Sequence, residues 1–130
     1  MKVFVAGTRT FDSASFTGLV AWALTSLDWP VEEIVSGAAS GIDTAGENWA
    51  KINRVPLKHF FPDWDAHGKA AGPLRNEEMA KYADALILVW DGHSAGSADM
   101  RDRARRHGLP VLEIVVRSSS KMPPSKRSES

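Results

Sequence analysis

The sequence predicts one small α/β domain of Rossmann-like type, and three observations carry that expectation. Short apolar runs rich in branched residues alternate with helical patterns along the chain. Two of those runs, Val3 to Ala6 and Ala85 to Trp90, are apolar throughout, as in strands of a parallel sheet covered on both faces. Glycine- and serine-rich turns follow the runs and lead into helices. A strand–helix alternation implies a parallel sheet of about five strands with right-handed crossovers, and the order expected is 3-2-1-4-5.

Each element has a local reason. Val3 to Ala6 ends at Gly7, and Ser13 is a candidate helix cap before Phe16, Leu19, Val20, Ala23, Leu24 and Leu27 at helical spacing. Pro30 closes that helix and Val31 to Val35 forms the second strand. A helix from Ile42 to about Asn53 follows, with Ile42, Ala45, Trp49 and Ile52 facing the core. Pro56 to Phe61 is the third strand, and Pro62 to Gly72 reads as a long polar loop. Pro73 suits a first helical position, opening a helix that runs to Tyr82. After the fourth strand, Asp91 to Gly96 is a loop and Ser97 to His107 a helix stopped by Gly108 and Pro110. Val111 to Val116 is the fifth strand. The domain expected spans residues 1–116, and the Ser-, Lys- and Arg-rich residues 117–130 read as a disordered tail.

Composition narrows the function classes. The chain has 130 residues, with 16 Lys plus Arg against 16 Asp plus Glu. That balance disfavours a dedicated nucleic-acid binder, which carries a basic surplus. With no cysteine, thiolate catalysis and Cys-ligated zinc are excluded, and a reducing compartment fits. No apolar run approaches the ~20 residues of a membrane helix, and the opening residues do not resemble a secretory signal. A cytoplasmic protein without membrane contact is the expectation.

In the strand order 3-2-1-4-5, the loops after strands 1, 2 and 4 meet where the order reverses, and ligands bind in that crevice. The first loop supplies Gly7, Thr8 and Arg9: glycine for a sharp turn, a hydroxyl donor, and a guanidinium that forks onto phosphate. The second supplies Ser36, Gly37, Ala38, Ser40 and Gly41 directly before a helix start. Small residues there let a ligand approach the backbone, and the free N–H groups of a first turn attract an anion. Asp43 reads either as a first-turn carboxylate favoured by the helix dipole or as a ribose ligand. The third loop repeats this chemistry with Gly92, Ser94, Gly96 and Ser97. Neither glycine loop follows the Walker A or dinucleotide fingerprint.

Arg75 and Asn76 complete the candidate ligand-binding set. Asp63, Asp65 and His67 do not follow a metal-ligand spacing; beside Lys69 and Arg75 they read as a surface ion network, and neither metal nor cofactor is called for. His59, His93 and His107 have no evident partner in the sequence, His107 being placed to offset a helix dipole. Among the tryptophans, Trp49 reads as core, while Trp90 at a strand end is preferred over Trp64 for stacking on a base.

The segments "VSGAASGIDTAGENWAK" and "FPDWDAHGKAAGPLRNEEMAKYADALILVWDGHSAGSADMRDRARRHGLPV", with the opening "AGTRTF", resemble the YspA-like branch of the SLOG superfamily. That superfamily joins the DNA-processing protein A fold to the Lonely Guy phosphoribohydrolases, and members of this branch occur in bacterial and phage genomes. The resemblance covers Val3 to Val116 and is most specific in "HGKAAGPLRN". It implies a Rossmann-like nucleotide-binding domain and, by analogy with relatives, a homo-oligomer.

Two departures matter. The second glycine loop of the family runs close to Ser-Gly-Gly-Ala-Arg-Gly-Ala-Asp; here Ala38 replaces a glycine and Ser40 the arginine. The Lonely Guy motif ends in a catalytic glutamate whose place is taken by Met100, with Asp99 one residue early, about 100° around a helix. Asp99 is thus the candidate catalytic residue, with Asp43 and Asp91 the other carboxylates in these loops. The leading expectation is a binder, sensor or sequestering module for a nucleotide or nucleotide-derived phosphate. The alternatives are a phosphoribohydrolase acting on nucleoside monophosphates and a single-stranded DNA accessory protein.

Overall fold

The computed structural model describes residues 1–116, and the reading of 117–130 as a disordered tail lies outside the described residues. The sheet contains β1 (Lys2–Gly7), β2 (Glu33–Ser36), β3 (Leu57–His59), β4 (Ala85–Trp90) and β5 (Val111–Val115). All neighbours pair in parallel, in the order β3-β2-β1-β4-β5. The helices are α1 (Ser13–Ser26), α2 (Ile42–Ile52), α3 (Trp64–His67), α4 (Ala71–Tyr82) and α5 (Ala95–Arg106), with a 3₁₀ turn at Gly68–Ala70 joining α3 to α4. The fold is the Rossmann-like α/β arrangement that the alternation predicts.

Side-chain alternation along the strands divides the core into two layers. Val3, Val5, Ile34, Ala85, Ile87 and Val89 face α1 and α2, which contribute Val20, Ala23, Leu24, Ile42, Ala45 and Ala50. Phe4, Ala6, Val35, Leu86, Leu88 and Trp90 face α4 and α5, meeting Met79, Ala80, Met100 and Ala104. β4 is buried at every position because it has a strand on each side and helices on each face.

Several local expectations are corrected. Asp12, not Ser13, caps α1: its Oδ1 accepts from Ala14 N at 3.1 Å. Ile52 closes α2 with 75% of its surface exposed, one step beyond the buried face. The segment read as a loop from Pro62 to Gly72 holds α3, capped by Asp63 Oδ1 on Ala66 N at 3.1 Å. α4 starts at Ala71, and Pro73 sits within its first turn, where backbone N–H groups have no helical acceptor in any case. α5 begins at Ala95, earlier than Ser97, because Ser94 takes the extended conformation of a cap residue. No helix among the described residues is long and apolar enough to cross a membrane.

Candidate functional site

The carboxyl ends of β1, β2 and β4 open onto a cavity of about 1020 Å³. The β1 loop is its hinge point, bonded to the loops on either side. Ser40 Oγ donates to Arg9 O at 2.9 Å, tying the β2 loop to it. Asp91 N donates to Thr8 Oγ1 at 3.1 Å, and Thr8 Oγ1 lies 3.3 Å from Ser94 Oγ, tying the β4 loop to it.

Two glycines make this crowding possible. A Cβ at Gly7 would stand 1.8 Å from Val89 O, inside any tolerable contact. Gly41 has φ +75°, and a Cβ there would approach Thr8 O to 2.4 Å. By contrast Ala38 holds a left-handed φ of +61° without being glycine, and its N–H donates to Ser36 Oγ at 3.0 Å. Such a conformation in a non-glycine residue is a mark of local strain.

Of the residues singled out from the sequence, Gly7, Thr8, Arg9, Gly37, Ala38, Asp43, Arg75, Asn76, Ser94, Gly96 and Ser97 line the cavity. Ser36, Ser40, Gly41 and Gly92 do not, and each has a scaffold contact in its place. Ser36 Oγ is buried and donates to Glu47 Oε2 at 2.6 Å, while Ser40 and Gly41 brace the β1 loop. Gly92 supplies a φ of +85° for the β4 turn. Sequence reasoning missed Thr10, Phe61, Pro62, Pro73 and Met79 on the walls. An alternation of strand and loop marks a loop as a candidate but does not identify side chains that reach it from another helix or from the segment after β3.

Arg75 and Asp43 define the charge of the site. Arg75 Nη1 donates to Gly37 O at 2.8 Å, whereas its Nε is buried without a hydrogen-bond partner. Burial lowers the Arg75 pKa; Asp43 raises it and the nearby Arg9 guanidinium lowers it. Two like charges thus share the lining of one cavity. Asp43, 5% exposed, is pushed up to about 7 by burial, against the Ala39 N–H and the Arg75 charge that favour its ionised form. Its contact with Ala39 N is long, 3.4 Å. The site therefore holds two guanidiniums and one carboxyl whose ionisation burial disfavours, an environment that favours an anion.

The other carboxylates at the cavity are already engaged. Asp91 Oδ1 accepts from His93 N at 2.8 Å, Ser94 N at 2.9 Å and Ser94 Oγ at 3.0 Å. These bonds hold its carboxyl below the usual range. Asp99 lines the cavity despite its register, but Oδ2 accepts from Asn76 Nδ2 at 3.0 Å and Arg103 Nε at 2.9 Å. Met100 is buried at the cavity floor.

Three readings of single residues change. Trp90 is buried, donates its indole N–H to Glu113 Oε2 at 2.9 Å and lies under the Arg101 guanidinium, so its ring is not open to a base. His59 and His107 have partners: Glu47 at 3.3 Å and Glu77 at 2.7 Å. Asp63, Asp65 and Lys69 form no ion pair among the described residues, and Arg75 turns into the cavity. No metal-holding group of His, Asp or Glu occurs among the described residues.

Comparison with known proteins agrees with this architecture. The family model of the YspA, cpYpsA-related SLOG family matches residues 1–67, from β1 through α3. The "HGKAAGPLRN" segment lies beyond that match except for His67. The chain is similar to the "Gene 61 protein" of Mycobacterium phage D29, 36% identical over 88 residues, covering 62% of this chain and 70% of that protein. No solved structure matches. With its fold, its glycine loops and this match over more than half its length, the chain belongs to the YspA, cpYpsA-related SLOG family.

Proposed function

We propose that the protein binds a nucleotide or nucleotide-derived phosphate in the cavity at the carboxyl edge of the sheet, as a sensor or sequestering module. Membership of the SLOG family suggests nucleotide-related binding or processing. The observation that carries this reading is Arg75: a guanidinium lining the cavity, bonded to one backbone carbonyl and close to the like charge of Arg9. A phosphate in the cavity accepts from the terminal nitrogens of that guanidinium and also relieves the repulsion between Arg75 and Arg9. The N–H groups opening α2 and α5 favour the same anion, since neither Gly41 nor Ser94 caps its helix with a side chain. Calorimetric titration with nucleoside 5′-monophosphates and the matching nucleosides tests this. The monophosphates bind, and removing the phosphate abolishes binding or weakens it by ten-fold or more; equal affinity for both contradicts the reading.

One observation favours a second reading, cleavage of a nucleoside monophosphate. Asp43 is a cavity carboxyl poised to titrate near neutrality, which acid-assisted departure of a base requires. Water would add to the ribose carbon as the N-glycosidic bond breaks, releasing free base and ribose 5-phosphate. Asp43 suits this role better than Asp99, whose carboxylate is held by Arg103 and Asn76. Base release that disappears in Asp43→Asn supports it; absence of base release from all four common monophosphates removes it.

A further inference from the structure

The cavity has an aromatic side that its charged groups do not use. Phe61 and Trp64 line its wall with 69% and 55% of their surfaces exposed. Single exposed rings are ordinary, but two converging on one concave site mark a contact surface. Phe61 stacks on His59 with ring centroids 5.4 Å apart and planes 21° from parallel, which steadies the ring on one face and leaves most of the residue exposed. Trp64 opens α3, and its Cη2 lies 3.8 Å from where a Cβ at Gly72 would be.

That contact places the Trp64 ring by the first turn of α4. Gly72 and Arg75, three residues apart, share one face of that helix. The indole thus shares one cavity wall with the guanidinium whose Nε lacks an acceptor. The same cavity wall carries the uncharged Pro62, Gly72 and Pro73, while Phe61 also adjoins a smaller hollow lined by Asp63, His67 and Glu78. An anion-binding end beside an aromatic, uncharged wall complements a ligand that carries both phosphate and a planar ring. A bare phosphate would leave the rings in water.

The geometry points to Phe61 and Trp64 as a base-stacking lip: they receive the face of a nucleobase while its phosphate engages Arg75. This rests on the reading of the cavity as a nucleotide phosphate site and adds which residues recognise the base. Stacking of a base on aromatic side chains is tolerant of base identity. The lip therefore distinguishes nucleotides from sugar phosphates more than one nucleotide from another.

The test is calorimetric titration of the full chain with AMP, GMP, CMP and UMP and with ribose 5-phosphate, in wild type, Phe61→Ala/Trp64→Ala and the single variant Trp64→Leu. Both rings are exposed, so folding is expected to survive, and thermal unfolding of each variant verifies it. In wild type at least one nucleotide binds about ten- to a hundred-fold tighter than ribose 5-phosphate. The double variant loses that advantage and keeps its affinity for ribose 5-phosphate, with Trp64→Leu intermediate. Equal affinities for nucleotide and ribose 5-phosphate in wild type overturn the lip and leave the phosphate site standing. If none of the five compounds binds, the phosphate reading fails and the lip with it. A double variant that keeps the nucleotide advantage, or changes only in self-association measured by sedimentation, assigns the rings to another contact and also overturns the proposal.

Discussion

The loops after β2 and β4 have the same design, a turn of small residues running into a helix with one aspartate gathering backbone N–H groups, yet they titrate in opposite directions. Asp91 is half-buried and takes three short bonds from its own loop, so its carboxyl is held down. Asp43 is buried beneath the β2 loop with a long contact to Ala39 N, and burial pushes it up to about 7. The lesson is that a shared motif does not settle its electrostatics. Desolvation outweighs hydrogen bonding at Asp43 and loses to it at Asp91. The β4 loop satisfies itself, whereas the β2 side has charges left to be completed by a ligand.

Breaking the turns separates the loops most strongly. Gly41→Ala combines a positive φ with a Cβ 2.4 Å from Thr8 O, and is expected to cost more than about 3 kcal/mol or to prevent folding. At Gly92, with φ +85°, the nearest heavy atom to a Cβ is Val115 Cγ1 at 3.4 Å, so Gly92→Ala is expected to cost about 1–2 kcal/mol. Denaturant midpoints measure both. Equal costs would show that the β2 turn is no more constrained than the β4 turn.

The pH dependence of stability comes next. Asp43 has a folded pKa above its ordinary value of 3.8, so its contribution is full below pH 4 and is lost as pH rises to about 7. Asp43→Asn should therefore flatten the decline of stability over that window, by the order of a few kcal/mol. Asp91 behaves oppositely: its lowered pKa gives stability above its ordinary value of 3.8 that is lost on further acidification. Asp91→Asn should destabilise at neutral pH and remove part of the acid sensitivity. Urea unfolding from pH 3 to 8 reads both, and parallel profiles for the two variants would contradict the contrast.

The smallest effect belongs to Ala38. Its φ of +61° suits glycine, the residue that the family pattern has there, while glycine also loosens the unfolded chain. Ala38→Gly is expected to stabilise by about 0.5–1 kcal/mol in thermal unfolding. A loss of stability would show that the loop relies on the methyl group.

How much of this was legible depends on the range of the forces involved. The strands were readable because Val3 to Ala6 and Ala85 to Trp90 are buried on both faces, and the strand order followed from connection rules. The cavity loops were readable for the same reason. α3 was not, since four residues with no buried side chain show no helical period. Trp90 was misjudged because its partners, Glu113 and Arg101, come from β5 and α5. Burial of Asp43 and the inward turn of Arg75 are tertiary facts, and Phe61 and Trp64 join the site only once β3 is placed at the sheet edge.

The central claim is that the β2 side is an anion site completed by Arg75. The most direct measurement is the affinity of wild type and Arg75→Ala for nucleoside 5′-monophosphates at pH 7, with unfolding curves confirming that both fold. A charge-assisted bond to phosphate predicts about a ten- to hundred-fold loss in the variant. Unchanged affinity in a folded Arg75→Ala protein would contradict the account.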